Sequence, residues 1–291
     1  MALRLGKRKT AALPDEQRTA LRDLVAAPKF ELIPLKNALD AAASLPARAR
    51  VTITASPSHG IESTIELAEQ MITAGHDAVP HLSAHMIRDR AHLSELLDRC
   101  RAGGFREAFV VGGDAKDRGE LHDGLALLRA MHEIGHPFEA IGVPSYPDGH
   151  PDIADDRLLE VLLEKQALVS YMATQMCFDP DAIVRWIGEM RRRGVTLPVH
   201  LGTPGVADIA KLMTNSARLG IADSARYLTK NTRMVGHLLT PGKFGPDALL
   251  EGVAPAIADP SAKIEALHLF TFNQVAATVE WQQRMLASFD V

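Results

Sequence analysis

The chain has 291 residues, of which 46% are hydrophobic and 23% charged, with a formal net charge of -4. This is apolar material for one large core or two small ones, and the mild acidity gives no reason to expect nucleic acid or another polyanion as a partner. Two cysteines, Cys100 and Cys177, are too few for a disulfide framework or a cysteine metal cage, and both are expected as buried free thiols.

Residues 1–28 are polar and Ala-rich, and Pro14-Asp15-Glu16 marks a helix start. They are expected to form an N-terminal helical extension, with a single catalytic domain over 29–291. The basic N-terminus has no apolar segment behind it, and no apolar run approaches the roughly 20 residues of a membrane span. A cytoplasmic protein without a membrane partner is expected. From residue 30 the chain alternates. Short apolar, β-branched runs at 30–35, 51–56, 78–84, 107–113, 139–146, 168–175, 195–202 and 265–272 predict strands. Stretches of helical period lie between them, for example 61–74 and 92–102. No two strands are joined by a hairpin signal, so the expected sheet is parallel with right-handed crossovers. Eight such units at this length predict a single (β/α)8 barrel. A doubly wound open sheet is the competitor, but Ile33-Pro34-Leu35-Lys36 after the first strand is not a Gly-rich phosphate turn. The long gap before the last strand predicts extra helices at 206–217, 222–236 and 246–257.

In this fold the reactive groups sit at the C-terminal ends of the strands. Reading those positions gives Glu31, Thr54, His81, Asp114, the turn Tyr146-Pro147-Asp148-Gly149-His150, Gln175, Gly202, and His268, Phe270 and Asn273. Each has a plain structural alternative. Glu31 could close an ion pair, His81 could be an interior histidine, Asp114 could cap the next helix, and Tyr146–His150 is turn chemistry. Co-location of Glu31 and Asp114 at one mouth makes them the first candidates for chemistry. If Glu31 points inward, desolvation suits it to general-acid work. The histidines look individually placed, and no metal set is expected.

The ordered set Phe30-Glu31-Leu32-Ile33-Pro34, Val51-Thr52-Ile53-Thr54, Pro80-His81-Leu82, Gly112-Gly113-Asp114, Tyr146-Pro147-Asp148-Gly149-His150-Pro151, Ala173-Thr174-Gln175 and His268-Leu269-Phe270-Thr271-Phe272-Asn273 resembles the methylenetetrahydrofolate reductase family. The resemblance implies a (β/α)8 barrel that reduces 5,10-methylenetetrahydrofolate with hydride from NADH or NADPH. It implies Glu31 as the general acid toward N10 and Asp114 beside the developing N5 iminium. It places Gln175, Asp114, Lys211 and Gln274 on the folate, and Thr54, His81, Gly113, Tyr146, His150 and Lys165 along an FAD.

Several positions depart from the family pattern. Gly112 stands where an arginine is usual before Gly-Asp, and the segment after Lys165 is short. Residues 158–161 are largely apolar, Phe270 replaces a tyrosine, and Gln274 replaces an arginine. The folate side is therefore better kept than the flavin side. Two versions stay open: an FAD shuttle, or hydride passed directly from nicotinamide to the iminium. A folate-linked enzyme of a demethylation pathway and a folate-binding barrel without reductase activity are the alternatives. A homo-oligomer is compatible with exposed barrel helices.

Overall fold

The computed structural model describes residues 13–115, 119–208 and 243–290. Eight parallel strands close a barrel: β1 (Lys29–Leu32), β2 (Arg50–Ile53), β3 (Asp77–Ser83), β4 (Glu107–Val111), β5 (Ala140–Ser145), β6 (Tyr171–Thr174), β7 (Val199–Pro204) and β10 (Ile264–Phe270). The order around the barrel is β1-β10-β7-β6-β5-β4-β3-β2, so the first and last strands lie side by side. Helices α1 (Asp15–Ala26), α2 (Ala38–Ala42), α3 (Gly60–Thr73), α4 (Arg90–Ala102), α5 (Gly124–Ile134), α6 (Asp155–Lys165), α7 (Pro180–Arg192), α8 (Asp247–Ala258) and α9 (Val275–Phe289) pack outside.

Local chemistry explains the elements. In α3, Ile61, Ile65, Ala68 and Met71 are buried at helical spacing. Asp89, Asp123 and Asp179 cap α4, α5 and α7 by accepting backbone N–H groups. In β1, Phe30 and Leu32 face the helices and are buried, an arrangement worth roughly 1.5–3 kcal/mol per side chain. Lys29 and Glu31 therefore point into the barrel. Helix α1 packs against α8 and α9 through Leu21, Leu24 and Val25, and Gln282 Nε2 donates to Val25 O at 2.8 Å.

The closed parallel barrel agrees with the sequence expectation, but several bounds move. Strand β1 stops at Leu32 rather than 35, where Pro34 can donate no ladder hydrogen bond. Residues 168–170 turn before β6, and β7 starts at Val199 rather than at 195. The sequence reading expected no antiparallel pair, yet β8 (Ala207–Asp208) and β9 (Lys243–Phe244) form one. Two-residue strands carry no periodic signal. Residues 207–208 are therefore strand, not the start of a helix over 206–217. The expected helix at 246–257 is α8, and the one at 222–236 lies outside the described residues. Among the described residues no helix is long and apolar enough to cross a membrane.

Candidate active site

The inward positions of the strands carry an unusual number of polar groups. At the N-terminal end of the barrel, fully buried Lys29 pairs with Glu107 and donates to Tyr171 Oη at 3.0 Å, while Arg50 reaches Glu107 at 3.2 Å. Burial lowers the Lys29 amine to about 8, with Glu107 opposing and Arg50 assisting. Burial alone would raise Glu107, but the Lys29 ammonium, its hydrogen bond and the Tyr171 hydroxyl hold that carboxyl below its usual range. Gly142 makes room for the Tyr171 ring, which a Cβ there would strike. Nothing in the sequence signals this cluster, because Lys29 and Glu107 stand at strand starts and look like solvated boundary charges.

One layer up, His81 lies against Phe109 with ring centroids 4.7 Å apart, and His200 stacks on Tyr171 at 3.7 Å. Both imidazoles are held well below their usual value. Burial is the main cause for each, followed by His268 and Lys29 for His81 and by Lys29, Arg50 and His268 for His200.

At the mouth stands Glu31. Its side chain is 13% exposed, and Oε2 accepts from His268 Nε2 at 2.9 Å. Its backbone is pinned as well, since Thr271 Oγ1 donates to Glu31 O at 2.5 Å. Asn273 continues the job where β1 has ended: Ile33 N donates to its Oδ1 at 2.9 Å, and its Nδ2 donates to Ile33 O at 3.0 Å and Asn37 Oδ1 at 3.2 Å. To reach this position the chain passes through Phe272 and Asn273, both with left-handed φ (49° and 57°). Two successive non-glycine residues in that region are strained backbone, held by the contacts they make.

Asp114 sits exposed on the loop after β4 and faces Tyr146, whose hydroxyl is pushed up to about 12 by burial and then by the Asp114 carboxylate. Gly113 needs its positive φ of 96°, and a Cβ there would collide with Ser83 Oγ. Tyr146 and His150 pack edge to face at 5.0 Å. Gln175 Oε1 accepts from Met176 N at 2.9 Å, and Gln274 Nε2 is buried with no hydrogen-bond partner among the described residues. Thr54 takes its place in the mouth through its backbone: its N–H donates to Leu32 O at 2.9 Å and its carbonyl accepts from Thr64 Oγ1 at 3.0 Å. Lys165 is lowered by burial, partly offset by Asp123, and its Nζ lies beside Gly124. Lys211 lies outside the described residues.

The histidines are not all scattered. Barrel closure brings Glu31, His81 and His268 together, each offering a ligand-type atom within 4.8 Å of the others. A metal-bound imidazole directs its second nitrogen to an acceptor. His268 Nδ1 is buried with no partner among the described residues. The cluster is therefore a hydrogen-bonded acid–imidazole pair with a neutral histidine beside it.

The family model for methylenetetrahydrofolate reductase matches residues 26–285. The chain belongs to that family. A probable methylenetetrahydrofolate reductase (NADPH) of Caenorhabditis elegans is 22% identical over 228 residues, covering 74% of this chain and 33% of the relative. Methylenetetrahydrofolate reductase 1 of Schizosaccharomyces pombe is 25% identical over 228 residues, covering 74% and 36%. The chain thus spans about a third of the length of these curated relatives. A solved structure, an uncharacterized protein from Clostridium thermocellum that binds two copies of 5-methyl-5,6,7,8-tetrahydrofolic acid, shares the fold. Its TM-score is 0.62 at 10% identity, over 94% of this chain and 99% of that one.

Within a methylenetetrahydrofolate reductase framework, an FAD would need cations for its pyrophosphate and an open shelf for its ring. Here His81 is only 7% exposed and sits inside the barrel, and Tyr146 and His150 pack on each other. Lys165 is tucked against α5, and the two cations of the loop after β4, Lys116 and Arg118, lie outside the described residues. As placed here, His81, Tyr146 and His150 do not open a shelf for a flavin ring.

Proposed function

We propose that this chain reduces 5,10-methylenetetrahydrofolate to 5-methyltetrahydrofolate, with hydride passed directly from NADH or NADPH. The observation that carries the reading is Glu31, a carboxyl at the barrel mouth fixed through its side chain by His268 and through its backbone by Thr271. Ring opening requires a proton on N10, which leaves an N5 methylene iminium. That iminium accepts hydride at carbon and becomes the methyl group, while the nicotinamide becomes NAD(P)+. One proton and one hydride are consumed per turnover, so the balance needs no further oxidant or reductant. Asp114, exposed at the same mouth, stabilises the cationic iminium. Gln175 and the amide nitrogen of Gln274, which has no partner among the described residues, supply polar contacts for the pterin. Lys211 belongs to the same proposed folate set.

Direct transfer is the favoured version because Gly112 stands where the family pattern has an arginine, and Tyr146 and His150 pack on each other rather than opening to a flavin ring. Both substrates would then share the mouth, giving sequential rather than ping-pong kinetics. The test is NADH oxidation by purified protein in the presence of methylenetetrahydrofolate, alongside Glu31→Gln. The variant should lose turnover yet still bind 5-methyltetrahydrofolate. An unchanged rate in Glu31→Gln overturns the assignment, and a visible flavin spectrum at near-stoichiometric occupancy overturns direct transfer.

A further inference from the structure

Resting on Glu31 as the acid, we infer that His268 is a positioning residue that decides which oxygen of Glu31 carries the proton, acting as a neutral donor rather than as a proton carrier. The geometry has three parts. First, the backbone around Glu31 is fixed by Thr271 and Asn273, so the freedom left to the acid lies in its side-chain torsions. Second, His268 Nε2 lies 2.9 Å from Oε2, with Thr52 Oγ1 at a marginal 3.5 Å. An N–H donated to Oε2 makes that oxygen the acceptor in both protonation states of the acid. The acidic proton is then left to Oε1.

Third, His268 Nδ1 is buried and has no hydrogen-bond partner among the described residues. A neutral ring protonated on Nε2 leaves only a lone pair at that atom. An imidazolium would bury an N–H of a charged group with nothing to accept it, which is the costlier arrangement. The charged and titratable groups around the ring point the same way. Glu31 faces it from β1, His81 lies beside it from β3 with ring centroids 6.3 Å apart, and His200 couples to it from β7. Of these only Glu31 is a carboxyl acceptor, and it takes the Nε2 hydrogen bond. The two histidines are themselves held neutral, by burial first, with Lys29 acting on both and Arg50 on His200.

The step therefore runs as follows. The Oε1–H bond breaks as the N10–H bond forms, the N10–CH2 bond opens, and the carboxylate that remains keeps its Nε2–H···Oε2 hydrogen bond. The next proton reaches Oε1 from the mouth, and the His268 ring changes neither charge nor tautomer.

His268→Phe removes the donor but keeps an aromatic ring beside Phe109 and Phe270. His268→Gln restores an amide N–H at a similar reach. In steady-state assays at saturating NADH, His268→Phe should lose about 10- to 100-fold in kcat, the range of a misplaced general acid, with KM for methylenetetrahydrofolate little changed. His268→Gln should recover most of that loss, and the acid limb of its kcat–pH profile should keep its wild-type position. Binding of 5-methyltetrahydrofolate monitors folding of each variant, and the Gln variant alone carries the test if the Phe variant does not fold. Wild-type kcat in His268→Phe overturns the proposal. So does equal loss in both variants with rescue by added imidazole, which would make the ring a proton carrier. Full activity in Glu31→Gln is a different result, and sinks the acid assignment itself.

Discussion

Lys29→Met tests whether the ion pair at the closed end of the barrel is a structural requirement. The substitution keeps the length and apolar stem of a fully buried side chain and deletes its ammonium. Glu107, with its side chain 14% exposed, would keep the Tyr171 hydroxyl and Arg50, which is 40% exposed and 3.2 Å away. Removing one partner of a buried pair costs about 3–5 kcal/mol. The surviving Arg50 contact puts the expectation near the lower end, and loss of the ammonium over the Tyr171 ring (4.1 Å) adds to it. For a chain of this size that corresponds to a fall of about 10 °C in Tm. The double variant Lys29→Met/Glu107→Leu should recover most of the loss, since an apolar pair leaves no charge behind. Thermal and urea unfolding of the two single variants and the double variant give the cycle. The pH dependence adds an independent check. Lys29 sits at about 8 in the folded chain against an ordinary 10.5, so between those values the unfolded state binds more protons. Wild-type stability should therefore gain from this group as pH rises above 8, and Lys29→Met should lack the gain. Tyr171, raised by burial and then Glu107, opposes this only above about pH 10, where its unfolded phenol ionises. A single variant within about 2 °C of wild type, or a double variant that merely sums the singles, would refute the reasoning.

Gly113→Ala places a Cβ at φ 96° against Ser83 Oγ, so it should cost about 1–3 kcal/mol in urea unfolding and reduce turnover by displacing Asp114. Wild-type values for both would mean that the loop after β4 relaxes freely. Asn273→Ala strips the partner from the Ile33 N–H and one of the two donors from Ile33 O, which keeps Leu35 N, at about 1–3 kcal/mol, and should lower kcat by loosening Glu31; kinetics and thermal unfolding check it. The Cys100 thiol is pushed up to about 12 by burial, and Cys177 is fully buried, so neither should react with a thiol reagent at pH 8 until the chain is denatured. One fast equivalent in the native protein would contradict that.

What the sequence could reveal follows from the range over which each signal acts. Strand and helix alternation is local, so all eight barrel strands and helices such as α3 and α4 were legible, with errors at prolines and in two-residue strands. Glu31 was legible because a single charge inside an apolar run is conspicuous. Its direction was not, because Lys29 and Glu31 share one face of a strand only four residues long. Lys29 stands at the junction of the polar extension and the first strand, where a charge carries no signal, and only closure of the barrel turns it inward.

The site is harder still, because its decisive contact joins the two ends of the barrel. Glu31 and His268 are 237 residues apart, and they meet because β1 pairs with β10. The same closure stacks the interior in order: the Lys29–Glu107 pair below, His200 and His81 in between, the Glu31–His268 pair at the mouth. A buried ion pair at one end and a carboxyl hydrogen-bonded to an imidazole at the other share one closed cylinder. Neutral imidazoles are a suitable spacer, since they fill the layer with polar rings but add no charge that either end must answer. Cations at the closed end help to keep them neutral, so the buried lysine that the sequence hid bears on the protonation of the histidine layer beneath the acid that the sequence displayed.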